Sequence, residues 1–91
     1  MSDTILGVRD VRFTTSARKH RIGKARALQA MDDAGEPDVI PAEEGLDERL
    51  LFVGRDERGV QLEVIAITQP DHLLVIHVMP YAYRTRRQRD E

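Results

Sequence analysis

A cluster of basic side chains lies in the stretch TTSARKHRIGKARALQAMDDAG, residues 14–35. Six bases fall within nine positions: Arg18, Lys19, His20, Arg21, Lys24 and Arg26. A surface that carries so many bases can bind an anion. Lys and Arg are also good helix formers, so the same cluster could be the solvated face of a helix. The residue types alone leave both interpretations open.

Charge is distributed unevenly along the chain, although the formal net charge is only -2. Residues 1–31 carry seven Lys or Arg against two Asp, a net charge of +5. Residues 32–63 carry three Arg against eleven acids, a net charge of -8, and residues 64–91 return to +1. A fold that brings the two basic ends together would offer a positive surface to an anionic ligand. The near-neutral total therefore does not exclude nucleic acid as a partner.

Length and composition predict a single small domain, residues 1–91, with a thin core. Hydrophobic residues make up 41% and charged residues 33%, a balance typical of a globular fold. The absence of cysteine excludes disulfides and thiolate metal sites, and it favours a reducing compartment. The chain shows neither an 18-residue apolar run nor the pattern of a signal peptide. We therefore expect a cytoplasmic protein that does not enter membranes.

The first half of the chain predicts a short edge strand over residues 8–13, followed by a helix. Thr15 or Ser16 is a suitable N-cap, Gly23 a point where the helix could break, and Gly35 its end. Apolar residues at three-residue spacing indicate the buried stripe of this helix: Ile22, Ala25, Leu28 and Met31. Residues 36–47 contain two prolines and five acids, which predicts a loop or a very short strand.

Three strand patterns follow, at residues 49–54, 60–67 and 72–79, with short turn sequences between them. They predict an antiparallel meander. The basic tail, residues 81–91, is expected to be a frayed helix or a flexible end. The order of elements predicts an α+β fold, with a short N-terminal strand and a helix pair packed on a three- to four-stranded antiparallel sheet.

Strict alternation along the last strand predicts which side chains the helices cover. Leu74, Ile76 and Val78 share one apolar face and are expected to lie under the helices. The other face then carries Leu73, Val75, His77 and Met79. On the preceding strand, the charge of Glu63 favours solvent for its side.

Three segments, taken in order, resemble the BrnT-type toxins of the RelE-like (RelE/ParE) toxin-antitoxin superfamily. They are RKHRIGKARALQAM, DERLLFVGRDERGVQLEVIAI and LLVIHVMPYAYRTRRQRDE. The resemblance covers roughly residues 10–90. It implies a RelE-like fold and the toxin of a type II toxin-antitoxin system, an endoribonuclease that needs no metal or cofactor and inhibits translation by cutting RNA. The implied partners are a cognate antitoxin and RNA, free or on the ribosome, and a homodimer is left open.

RNA cleavage by its own 2'-hydroxyl needs a base for that proton, cations for the crowded phosphate and an acid for the leaving oxygen. By the resemblance, Lys19 and His20 match the family's Lys-His pair, Arg49 its strand arginine, and Arg84 a terminal arginine. His20 or His77 would exchange protons while Lys19, Arg49 and Arg84 hold the phosphate. The remaining candidates would bind RNA: Arg18, Arg21, Lys24, Tyr81, Tyr83, Arg86 and Arg87.

Each assignment has a structural alternative. A histidine near a helix start often caps or packs, which is the competing interpretation of His20. His77 interrupts an apolar strand, where an imidazole needs a hydrogen-bond partner. The alternative for the whole chain is a non-catalytic module of the same fold that binds nucleic acid or a protein.

Overall fold

The structure is a computed structural model and describes residues 10–43, 45 and 47–83. A five-stranded mixed sheet carries one α-helix and one short 3-10 turn. The elements in chain order are β1 (Asp10–Phe13), the 3-10 turn (Ser16–Arg18), α1 (Lys24–Ala34), β2 (Asp38–Ile40), β3 (Arg49–Arg55), β4 (Gln61–Thr68) and β5 (His72–Pro80). The α+β class is confirmed. Among the described residues, no helix is both long enough and apolar enough to cross a membrane.

The strands lie in the order β1-β5-β4-β3-β2. The meander of β3, β4 and β5 is antiparallel, as predicted, because each short turn allows the chain to fold back on its neighbour. β2 extends this sheet on one edge, and β1 pairs with β5 in parallel on the other. The prediction of a three- to four-stranded antiparallel sheet is therefore wrong. The segment 36–47 contains the very short strand, and the edge position of β1 is confirmed.

Two glycines flank α1, one at each end. Gly23 precedes it in an extended conformation, and Gly35 follows it at φ 72°, in the left-handed region where glycine is favoured. The predicted break at Gly23 and end at Gly35 are thus confirmed. At the earlier turn Thr15 occupies the N-cap without a side-chain bond, and the Thr14 hydroxyl accepts the amide of Ala17 instead.

The predicted buried stripe is confirmed at Ile22, just before α1, and at Met31, but not along its whole length. Ala27, Ala30 and Met31 are buried, whereas Ala25 is exposed and Leu28 only half-buried. Three residues turn an α-helix by about 300°, so a stripe at constant three-residue spacing drifts away from the core by about 60° per step. The i, i+3, i+4 pattern of the buried residues keeps one face on the sheet.

A β-bulge interrupts the pairing of β4 with β5. Ile65 lies opposite His77, but Ala66 lies opposite Val75, so Ile76 has no partner of its own. Because of this extra residue, the side chains on the two sides of the bulge do not follow one regular alternation between the faces of the sheet. Leu73, Val75 and Val78 are buried in the core. The prediction is therefore confirmed for Val78 and wrong for Leu74 and Ile76, which are half-buried.

Candidate functional site

One face of the sheet packs against α1 and the 3-10 turn, and the opposite face carries the first group of candidate residues. On β4 the side chains of Leu62, Val64 and Ala66 enter the core, so the alternate positions point to the opposite face. That opposite face, whose side chains are half-buried or buried, is called the open face because neither α1 nor the 3-10 turn packs on it. The register places these residues on it: Arg49, Leu51, Val53, Glu63, Ile65, Ile67, Leu74, His77 and Met79.

A carboxylate and an imidazole meet at the centre of the open face. The Nε2 atom of His77 lies 3.0 Å from Oε2 of Glu63. The Glu63 side chain is only 6% exposed, whereas that of His77 is 30% exposed. The expectation that Glu63 faces solvent is therefore wrong, because its charge has a hydrogen-bonding partner that makes burial tolerable. A buried carboxylate that orients a solvent-reachable imidazole is an arrangement suited to proton transfer.

The bulge at Ile76 is what brings His77 to this face. With regular alternation, His77 would share a face with Leu73 and Val75, and those two residues are fully buried in the core. The extra residue turns His77 to the other side, opposite Ile65 and next to Glu63. Bulges often re-aim a side chain beside a functional site.

Arg49 lies on the open face as well, at the start of β3. β4 separates it from β5, so its Cα lies about 10 Å from that of His77 across the sheet and about 7 Å along it. Within the described part of the chain, the buried Nε atom of Arg49 has no hydrogen-bond partner. The guanidinium and the imidazole therefore lie on the same face of the sheet, with β4 between them.

The second group of candidates lies on the loop that leads into α1, which we call the basic loop, residues 18–24. Its buried residue Ile22 belongs to the core on the helical side of the sheet. His20 makes an edge-to-face contact with Tyr83, with 5.7 Å between ring centroids and 79° between planes. This contact supports the packing interpretation of His20. Lys24 places Nζ 5.8 Å from the centroid of the Phe13 ring.

The structure thus divides the predicted site residues into two groups. Arg49 and His77 share the open face. The basic loop holds Arg18, Lys19, His20, Arg21 and Lys24, and His20 draws in Tyr83. Tyr81 is half-buried just after β5. Arg84, Arg86 and Arg87 lie outside the described residues.

Sequence reasoning did not single out two of the acids that the structure places in key positions. Glu63 is one. The available signal was an acid inside an otherwise apolar strand, followed by a strand that carries an internal histidine. Asp56 is the other: its side chain is fully buried and accepts a 2.6 Å hydrogen bond from Arg26 Nε. Its Oδ1 atom also accepts hydrogen bonds from the backbone amides of Arg58 and Val60, at 2.9 and 3.0 Å. These bonds close the β3–β4 turn.

Acid is expected to weaken the fold through Asp56. Burial acts to raise the pKa of Asp56, but hydrogen bonds from Arg26 and the two turn amides, with the Arg26 charge, outweigh it and hold the pKa below its ordinary value. Its stabilising contribution is complete above the unfolded pKa of about 3.9 and is lost as pH falls through the lower folded pKa. We expect Tm to decline below about pH 4, and Asp56→Asn to flatten that decline in thermal unfolding scans. Parallel curves for the two proteins would contradict this role.

Among the described residues, no three His, Asp or Glu side chains are grouped so that they could hold a metal ion. Comparisons with known proteins add no assignment: no family model matches the chain, and no curated protein and no solved structure matches it. Function must therefore be argued from the open face and the basic loop.

Proposed function

We propose that the protein is the toxin of a type II toxin-antitoxin pair and cleaves RNA without a metal, as the resemblance to BrnT-type toxins implies. One observation carries the catalytic part of this proposal. His77, partly exposed on the open face, is hydrogen-bonded at 3.0 Å to the buried carboxylate of Glu63. Such a pair can exchange protons with a ribose hydroxyl by general acid–base catalysis, which needs no metal ion.

The proposed reaction is an internal transesterification. His77 takes the proton of a 2'-hydroxyl, and the resulting oxygen attacks the adjacent phosphorus. The bond from phosphorus to the 5'-oxygen breaks, and that oxygen gains a proton from a second acid or from water. The products are a 2',3'-cyclic phosphate and a 5'-hydroxyl.

Glu63 and Arg49 would support the step from opposite sides. The Glu63 carboxylate is bonded to Nε2 of His77 and would stabilise the imidazolium that forms. Arg49 would hold the phosphate oxygens as negative charge develops on them. Glu63 is thus a positioning residue, whereas His77 and Arg49 would touch RNA.

The test is a cell-free translation reaction that receives the purified chain, with reporter yield measured and new RNA ends mapped. Wild-type protein is expected to lower the yield and to leave ends with cyclic phosphate. His77→Ala is expected to slow cutting by about 100-fold or more, since a general base contributes roughly 10²- to 10⁴-fold. Glu63→Gln should lower kcat with KM unchanged.

His72→Ala is the matched control, because His72 lies on the same strand and pairs with Asp71 at the other end of it. It should cut like the wild type. Equal loss in both histidine variants would indicate damaged folding rather than lost chemistry. Cutting that survives His77→Ala but not His20→Ala would move the proton transfer to the basic loop.

A non-catalytic binding module remains the second candidate, and the exposed cations of the basic loop favour it. Its signature would be RNA or protein binding with full reporter yield and intact RNA. Co-expression with the product of an adjacent gene tests the antitoxin: restored growth of cells that make the chain would support the proposed pairing.

A further inference from the structure

An open cavity of about 400 Å³ lies beside the start of α1. Its lining residues are Phe13, Arg18, Arg21, Ile22, Gly23 and Lys24. Ile22 is buried and Phe13 packs against the core, so these two side chains form a fixed apolar wall. The volume falls within the range of about 300–1,000 Å³ that is usual for small-molecule sites. A phosphate with its sugar or base fits such a space.

The three cations at the cavity are exposed, and none has an acidic partner in the described part of the chain. Over residues 10–43, 45 and 47–83, no carboxylate lies within 4.0 Å of a charged nitrogen of Arg18, Arg21 or Lys24. The arginines nearby in the sequence differ, since Arg12 pairs with Asp10 and Arg26 with Asp56. The cavity therefore concentrates positive charge that no described acid neutralises, although Lys24 Nζ lies over the ring of Phe13.

The backbone around the cavity holds the cations together. Arg21 adopts φ 60°, a left-handed conformation that is uncommon for a residue with a side chain. Its amide donates to the Arg18 carbonyl at 2.9 Å, which closes the turn before α1. The first turn of α1 contains no acid, and Gly23 supplies no capping side chain, so the helix amides add to the positive potential.

We infer that this cavity binds a backbone phosphate of single-stranded nucleic acid, with the attached sugar or base against Phe13 and Ile22. The apolar wall and the volume favour a nucleotide unit over a bare anion, and the openness of the cavity lets a chain continue on either side. The inference rests on the RNA binding of the proposed function and deepens it by naming the site, but it requires binding alone and no cleavage. It also concerns the basic loop and not the open face that carries His77.

The test measures fluorescence anisotropy of a labelled 2'-O-methyl RNA, which lacks the attacking hydroxyl and so reports binding whether or not the protein cuts RNA. Arg18→Ala and Lys24→Ala are each expected to raise Kd by about tenfold, the usual loss for one charge-assisted contact. The slope of log Kd against log salt should fall by about 0.7 for each lost phosphate contact.

Arg58→Ala is the matched control. Arg58 is exposed at the tip of the β3–β4 turn. Its replacement by alanine removes one positive charge, as the cavity variants do, but at a position that does not line the cavity. It should raise Kd by less than about twofold, the effect of general charge alone. If the cavity variants weaken binding no more than Arg58→Ala does, or if no RNA binds, the inference fails.

Arg21→Gly separates binding from folding. Glycine adopts the left-handed conformation without steric cost but loses more entropy on folding, so the two effects offset and Tm should stay within about 3 °C of the wild type. Kd for RNA should still rise about tenfold. A competition arm uses inorganic phosphate: weak, millimolar displacement of RNA supports a backbone site, whereas phosphate that binds as tightly as RNA would overturn it.

Discussion

Replacing Gly54 by alanine is expected to lower the free energy of unfolding by about 3 kcal/mol and Tm by roughly 15 °C. Gly54 is buried on β3 directly beneath α1. A Cβ atom built there would collide with the carbonyl oxygen of Ala30 and would lie 2.7 Å from the amide nitrogen of Ala34. Both are backbone atoms, so a side-chain rotation cannot relieve the clash. The helix must move off the sheet, which opens the core.

Gly23→Ala provides the comparison for Gly54→Ala. It makes the same chemical change at a position where an added Cβ meets nothing within 4 Å. Its cost should be less than about 1 kcal/mol, since alanine is merely a poorer N-cap than glycine. Urea and thermal unfolding followed by circular dichroism would measure both variants. Similar losses in the two would show that α1 does not press on Gly54 as described.

Removing the carboxylate of Asp56 is expected to have the second large effect, a fall in Tm of about 10 °C for Asp56→Ala. Asp56 joins α1 to the β3–β4 turn through Arg26 and accepts the amides of Arg58 and Val60. Alanine would leave two turn amides and a half-buried guanidinium without their acceptor. The fall in Tm should be nearly independent of pH above pH 5 or so, because the native carboxyl is ionised throughout that range.

Asp10→Ala is the control for the loss of an ion pair. Asp10 bonds to Arg12 at 3.0 Å, but both side chains are more than half exposed. An exposed pair of this kind contributes about 0–1 kcal/mol, so Tm should change by only a few degrees. A fall as large as that of Asp56→Ala would mean that charge balance, and not the buried network, sets the stability. Double substitution of Arg26 and Asp56 by alanine should be less damaging than the sum of the two single changes.

Much of the fold could be predicted because the signals were local. The three strands of the meander carry β-branched and aliphatic runs, and the turns between them contain Asp56, Gly59 and Pro70 at positions where the chain must reverse. Gly35 ends α1 because a left-handed residue is needed there. These features depend on residues that are close in sequence, and the pattern alone was enough to place them.

The candidate site could be predicted only in part. The basic loop was visible as a run of charges, Arg49 was singled out by the resemblance, and His77 was singled out because it interrupts an apolar strand. What sequence reasoning could not supply was the grouping: His77 with Glu63 on the open face, and the basic loop around its own cavity. Alternation was assumed to be regular, and one extra residue at Ile76 was enough to reverse it.

By itself the sequence determined the element order, the α+β class and the turn positions, since backbone preferences and hydrophobic period act over a few residues. The tertiary structure alone decided the parallel pairing of β1 with β5, the bulge at Ile76 and the bond between Arg26 and Asp56 across 30 residues. Each of these depends on how separate elements pack. Because the core accepts only side chains that fit beneath α1, packing decides which face of a strand is buried, and so where His77 and Glu63 meet.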